Sequence, residues 1–174
     1  GRARRSHANH TTAVILVQRA RALLATLGRG PEPGPWLAAQ MEKISIDEPG
    51  DGYHRILTWG ARATYYYEKG ELGAAFERLV ADFDAEKLNP RTIHLAGVEF
   101  YVAVAHARIQ QCFAAAPSDR KAAVVKLARV ARSLRLAARI PALDAHALFV
   151  EACLAWFKGD VKGSTKVFAE AETL

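Results

Sequence analysis

Paired carboxylates, hydroxyl nucleophiles and imidazoles are the usual raw material of catalysis, and this chain carries all three without the neighbours each needs. Asp82 with Asp84, and Glu170 with Glu172, sit near expected helix ends and read as solvated surface; acid–base work requires a second group within hydrogen-bond reach, and none is near in sequence. Ser118 and Ser164 have no local histidine-and-acid arrangement, so Ser118 reads as a helix N-cap. The six histidines, His7, His10, His54, His94, His106 and His146, never form the i, i+4 pair with which one helix grips a metal. Cys112 and Cys153 belong to no CxxC or zinc set and read as buried, reduced thiols, which favours a cytoplasmic location. Phosphate loops and the G-x-S-x-G elbow are absent. The nearest stretch, Gly28-Arg29-Gly30-Pro31-Glu32, puts a proline without an N–H where a cradle needs donors. The expectation is a non-enzyme, with no catalytic residue, no cofactor and no metal.

Two patterns suit binding instead. Aromatics crowd at Tyr65-Tyr66-Tyr67 and at Phe149 with Trp156-Phe157. Successive helical residues differ by about 100° in direction, so they cannot all face one core. Tyr67, Phe149 and Trp156 are therefore candidates for an interaction surface, against the plainer reading that they pack on a neighbouring helix pair. The second pattern is Lys126, Arg129, Arg132, Arg135 and Arg139, which recur at three- and four-residue intervals opposite Val124, Leu127, Val130, Leu134 and Ala137. Arg129, Arg132 and Arg135 join the candidate surface, where they would attract an acidic protein or peptide. Such a stripe can also follow phosphates, which makes nucleic acid the alternative partner. It lacks the interleaved aromatics that stack on bases, and the plainer reading is a solvated outer face.

The elements that must position these residues are helices. The 174 residues suit one domain; 51% are apolar and 24% charged, and the net charge is +6. No apolar run reaches the roughly 20 residues needed to span a bilayer. All seven prolines fall between periodic apolar segments, which gives eight expected helices. They run over about 11–27, 35–44, 53–69, 72–88, 90–116, 117–139, 141–158 and from 160 onward. Asn89-Pro90 reads as an N-cap with proline at the first helical position, and Asp160 as another N-cap. Residues 1–10 are expected to be a flexible basic end or cloning scar, and 11–174 a single helical-repeat domain. Its last helix stops without a capping residue, which suggests a piece of a longer protein.

Two pairs look alike. Trp59-x₂-Arg62-Ala63-x₂-Tyr66 precedes a Gly70-Glu71 turn and Ala75-x₃-Leu79; Ala152 precedes Gly159-Asp160, Ser164-x₃-Phe168 and Ala171. Tetratricopeptide repeats pair helices in this way, with small residues where the two approach and glycine at the turn. Arg62 and Glu151 replace the motif leucine, Ala155 stands where tyrosine is expected, and the turn glycines are 89 residues apart. That spacing is about two units of ~45, longer than the standard ~34. Trp59 and Tyr66 are expected to pack on Ala75 and Leu79.

On Leu57-Thr58-Trp59-Gly60-Ala61-Arg62-Ala63, Gly70-Glu71-Leu72 and Leu154-Ala155-Trp156-Phe157-Lys158-Gly159-Asp160, the stretch 53–174 resembles the helical-repeat tail of large bacterial regulators such as multidomain serine/threonine kinases and signal-transduction ATPases. The resemblance implies an all-α superhelix of stacked antiparallel helix pairs. It also implies a scaffold or sensor role in protein–protein interaction within a cytoplasmic signalling protein whose output domain is elsewhere.

Overall fold

The computed structural model describes residues 52–173. The helices expected over 11–27 and 35–44, and the basic start of the chain, lie outside the described residues. Within them the protein is all-α: six helices and no strand. These are α1 (Gly52–Lys69), α2 (Ala74–Ala85), α3 (Leu95–Ala114), α4 (Pro117–Ala137), α5 (Pro141–Phe157) and α6 (Val161–Ala171). No helix among the described residues is long and apolar enough to cross a membrane.

Two turns share one chemistry. Gly70 and Gly159 adopt φ of +68° and +86°, a left-handed conformation that costs an L side chain roughly 1–2 kcal/mol. The N–H of Gly70 reaches the Tyr67 carbonyl at 3.0 Å and that of Glu71 the Tyr66 carbonyl at 2.9 Å. Gly159 and Asp160 repeat the pair of bonds to Trp156 and Ala155 at 2.9 and 3.0 Å, closing the last orphan carbonyls of α1 and α5. The Asp160 carboxylate then accepts the Gly163 N–H at 2.9 Å and caps α6, as expected.

Helix starts elsewhere depart from expectation. Asn89 does not open a helix: its side chain accepts the Arg91 N–H at 3.0 Å and its carbonyl the Thr92 N–H at 3.1 Å, making a local turn, and α3 begins only at Leu95. Ser118 is not a cap either. Ala116 holds that position with Pro117 directly after it, so the proline sets the start of α4.

The chain doubles back in nested contacts. Tyr66 meets Phe76 near the first turn, and Trp59 meets Phe83 further from it, so α1 and α2 run antiparallel. The expected partner Ala75 is exposed. The buried stripe of α2 is Phe76, Leu79 and Phe83, one residue off the motif register at its first position and correct at Leu79. The other small positions are buried as expected: Ala63, Ala152 and Ser164.

Helix α1 packs chiefly along α3. The approach is close because Gly97 has no Cβ; one placed there would come within 2.8 Å of Ile93 and Ile56 side-chain atoms. Helix α3 also meets α4 and α5, and is buried on nearly every side through Val98, Phe100, Tyr101, Ala103, Val104, Ala105 and Ala107. Helix α5 packs on α4 and most extensively on α6. Cys112 of α3 and Cys153 of α5 are free and buried. Burial pushes both thiols up, against the opposing pull of Arg108 and Arg120 on Cys112.

Candidate functional site

Three cations of α4 form ion pairs at the surface with neighbouring helices. Lys126 pairs with Glu77 of α2 at 3.2 Å and Arg129 with Asp84 at 3.3 Å. On the other side, Arg135 lies 3.5 Å from Asp144 and 3.6 Å from Glu151 of α5. Arg139 donates to the Ile93 carbonyl. Within the stripe, Lys126 and Arg129 thus meet acids of α2 and Arg135 meets acids of α5, while all of these cations stay on the exposed face. Arg132 is exposed and has no ion pair among the described residues.

The centre of this arrangement is Arg108 of α3, which the sequence reading missed. Its guanidinium is buried, lies 5.2 Å from the Phe76 ring centre, and forks onto the Glu77 carboxylate. Gln111 accepts from it at 2.7 Å and donates to Glu77 at 3.1 Å and to the Leu72 carbonyl at 3.0 Å. Partial burial would raise the Glu77 pKa, but donors from Arg108, Gln111 and Lys126 outweigh it and hold the carboxyl at about 2. Glu77 and Arg108 are 31 residues apart, so no local spacing announces them. Beside them a cleft of about 200 Å³ opens between α2, α3 and α4, floored by Val80, Phe100, Val104 and Val130 and edged by Asp84 and Arg129. The Tyr101 phenol, also lining it, is pushed up to about 12 by burial and then by the Asp84 charge, and so stays protonated.

The predicted aromatics divide into two groups. Tyr67 is half-buried against His106, with ring centres 5.7 Å apart. Phe149, 38% exposed, stacks on the same imidazole at 5.5 Å and touches Phe168 of α6 at 5.7 Å. Trp156 is 49% exposed and sits away from that run. It joins Phe113 of α3, 61% exposed, at 5.6 Å, and both contact Phe157. Phe113 was not singled out from sequence, because a lone phenylalanine near the end of an apolar helix carries no pattern. Trp156, Phe113 and Phe157 make one aromatic surface across the C-terminal ends of α3 and α5, distant in sequence from Arg129, Arg132 and Arg135 on α4.

Ser164 is buried at the α5–α6 contact, and both thiols are held protonated. Among the described residues, no group of three or more histidines, cysteines or carboxylates could hold a metal ion. The described residues define an all-α protein with a partly paired, exposed basic helix face and an exposed aromatic surface. No protein-family model, curated protein or solved structure matches the chain.

Proposed function

We propose that the described residues form a tetratricopeptide-like stack of three helix pairs, α1–α2, α3–α4 and α5–α6, serving as a non-catalytic interaction scaffold or sensor segment of a larger cytoplasmic signalling protein. The glycine turns, the small residues at helix contacts and the packing of α3 on both α1 and α5 support the stacking. One observation carries the function: Phe113 and Trp156 lie side by side on the surface, each about half exposed or more. Aromatic area left in water is costly to solvate, and Trp and Phe recur as anchors of protein interfaces. The chain's +6 charge favours a partner with acidic character, through encounter rate more than affinity.

The test is a Phe113→Ser/Trp156→Ser double variant, checked for an unchanged helical spectrum, in crosslinking capture against the wild type. Partners held by the wild type should be lost from the variant. Identical capture by both would remove the surface from the proposal. Nucleic acid is disfavoured because Lys126, Arg129, Arg135 and Arg139 already have partners within the fold. A labelled DNA duplex should show no saturable anisotropy change. A steep fall of affinity with salt would instead establish that alternative.

A further inference from the structure

His106 of α3 and His146 of α5 face one another across two helices. Nε2 of His106 lies 3.3 Å from Nδ1 of His146, with the ring planes crossed at 88°. His106 is packed between Tyr67 of α1 and Phe149 of α5, and Phe149 continues to Phe168 of α6. A single run of rings therefore crosses α1, α3, α5 and α6. It matters because α3 and α5 otherwise touch only sparingly, far less than α1 with α3 or α5 with α6.

A hydrogen bond between two imidazoles needs one nitrogen to carry a proton and the other to offer a lone pair. With both rings protonated, two donors and two positive charges would meet. No nearby group offsets that. From α1 the titratable neighbour is Tyr67, whose phenol burial and then Glu68 push upward, so it stays neutral. From α5 it is His146 itself; Asp144 and Glu151 of that helix are engaged by Arg135 of α4. The α6 contact to this run is the Phe168 ring. Among the described residues neither imidazole forms an ion pair with a carboxylate.

From this geometry we infer that the His106–His146 contact is a proton-sensitive clasp, closed when neutral, that sets how the α5–α6 pair sits on α3. Burial, and then the charge of His146, hold the His106 imidazole below its ordinary 6.5. The sign follows: the open or unfolded chain takes up this proton more readily than the closed clasp. Closure is favoured above pH 6.5 and is lost as pH falls from there toward the lowered value. The clasp stands on its own geometry. Its consequence for binding rests on the interaction-surface reading, because Phe113 and Trp156 ride on the two helices it joins.

The test pairs imidazole NMR titration with amide hydrogen exchange on the whole chain at about pH 7.5 and 5.5, corrected for intrinsic exchange chemistry. In the wild type His106 should titrate below 6.5, and amides of α5 and α6 should exchange several-fold faster at the lower pH while α1–α3 amides change little. His146 is exposed, so His146→Gln should fold, keep a hydrogen bond to His106 and weaken that pH dependence, leaving the part that burial of His106 sets. His106 titrating at or above 6.5 would overturn the clasp. So would an unaltered pH response in His146→Gln, or equal acceleration in α1–α3. The Phe113→Ser/Trp156→Ser variant should keep the wild-type titration, so a failure of the binding surface leaves the clasp standing.

Discussion

Glu77 is one carboxylate shared by three helices, and its loss strands a buried guanidinium. Removing a partner from a hydrogen-bonded charge costs about 1.5–3 kcal/mol, and the exposed edge of Glu77 places Glu77→Gln toward the lower figure. Because its folded pKa is lowered to about 2 from 4.5, this contribution is complete above 4.5 and fades as pH falls through that window. Urea unfolding at neutral pH should show the full deficit of the variant, and the gap should narrow on acidification between those values. Phe76 supplies the second residue-scale expectation: Phe76→Ala should cost about 3–5 kcal/mol, whereas Ala75→Ser should stay within about 0.5. The reason is burial, since Phe76 is enclosed and Ala75 faces water. The sequence misplaced this position because Ala74-Ala75-Phe76 offers two small residues beside one large one, and a motif that asks for alanine takes the nearest. The Glu77–Arg108 fork and the paired histidines were illegible for a different reason. Each joins residues 31 or 40 positions apart, and only the packing of α2, α4 and α5 around α3 brings them together.

Turn chemistry made the helices readable. Glycines at 70 and 159 and the Asp160 cap are local signals, and each does locally what its type dictates. Asp160→Ala should lower stability by about 1 kcal/mol, measured by thermal or urea unfolding, since the first turn of α6 loses its side-chain acceptor. Gly97 tests the contact between α1 and α3. Alanine is worth up to ~1 kcal/mol over glycine inside a helix, but here its methyl would press on Ile56 and Ile93. Overpacking costs about 1–3 kcal/mol; Gly97→Ala should therefore destabilise, and a gain in stability would mean the helices lie further apart. The start of α3 was misread because Asn89-Pro90 satisfies the rules for a cap while forming a separate turn. The amphipathic reading of α4 was right about its apolar face: Leu127, Val130, Leu134 and Ala137 are buried. It was right about the polar face too, since Lys126, Arg129, Arg132, Arg135 and Arg139 are all exposed; periodicity separates inside from outside but does not reveal which acids lie opposite.

At the scale of the molecule, α3 is the hub and the α5–α6 pair is attached through α4 and a thin contact with α3. When helix pairs contact only their neighbours, a terminal pair can open without the rest. The two buried cysteines turn that asymmetry into a clock. Cys112 lies in the hub and Cys153 in the outer pair, both enclosed and both held in the less reactive thiol form. A thiol-specific reagent can reach either one only during an opening, so its rate of attack counts openings of that helix. Cys153 should be modified first, with Cys112 following only at the rate of global unfolding, and single-cysteine variants would read the two events separately. Equal rates at both positions would describe a protein that opens all at once. Unequal rates would give the energy of detaching one end of the stack, read from sulfur chemistry alone.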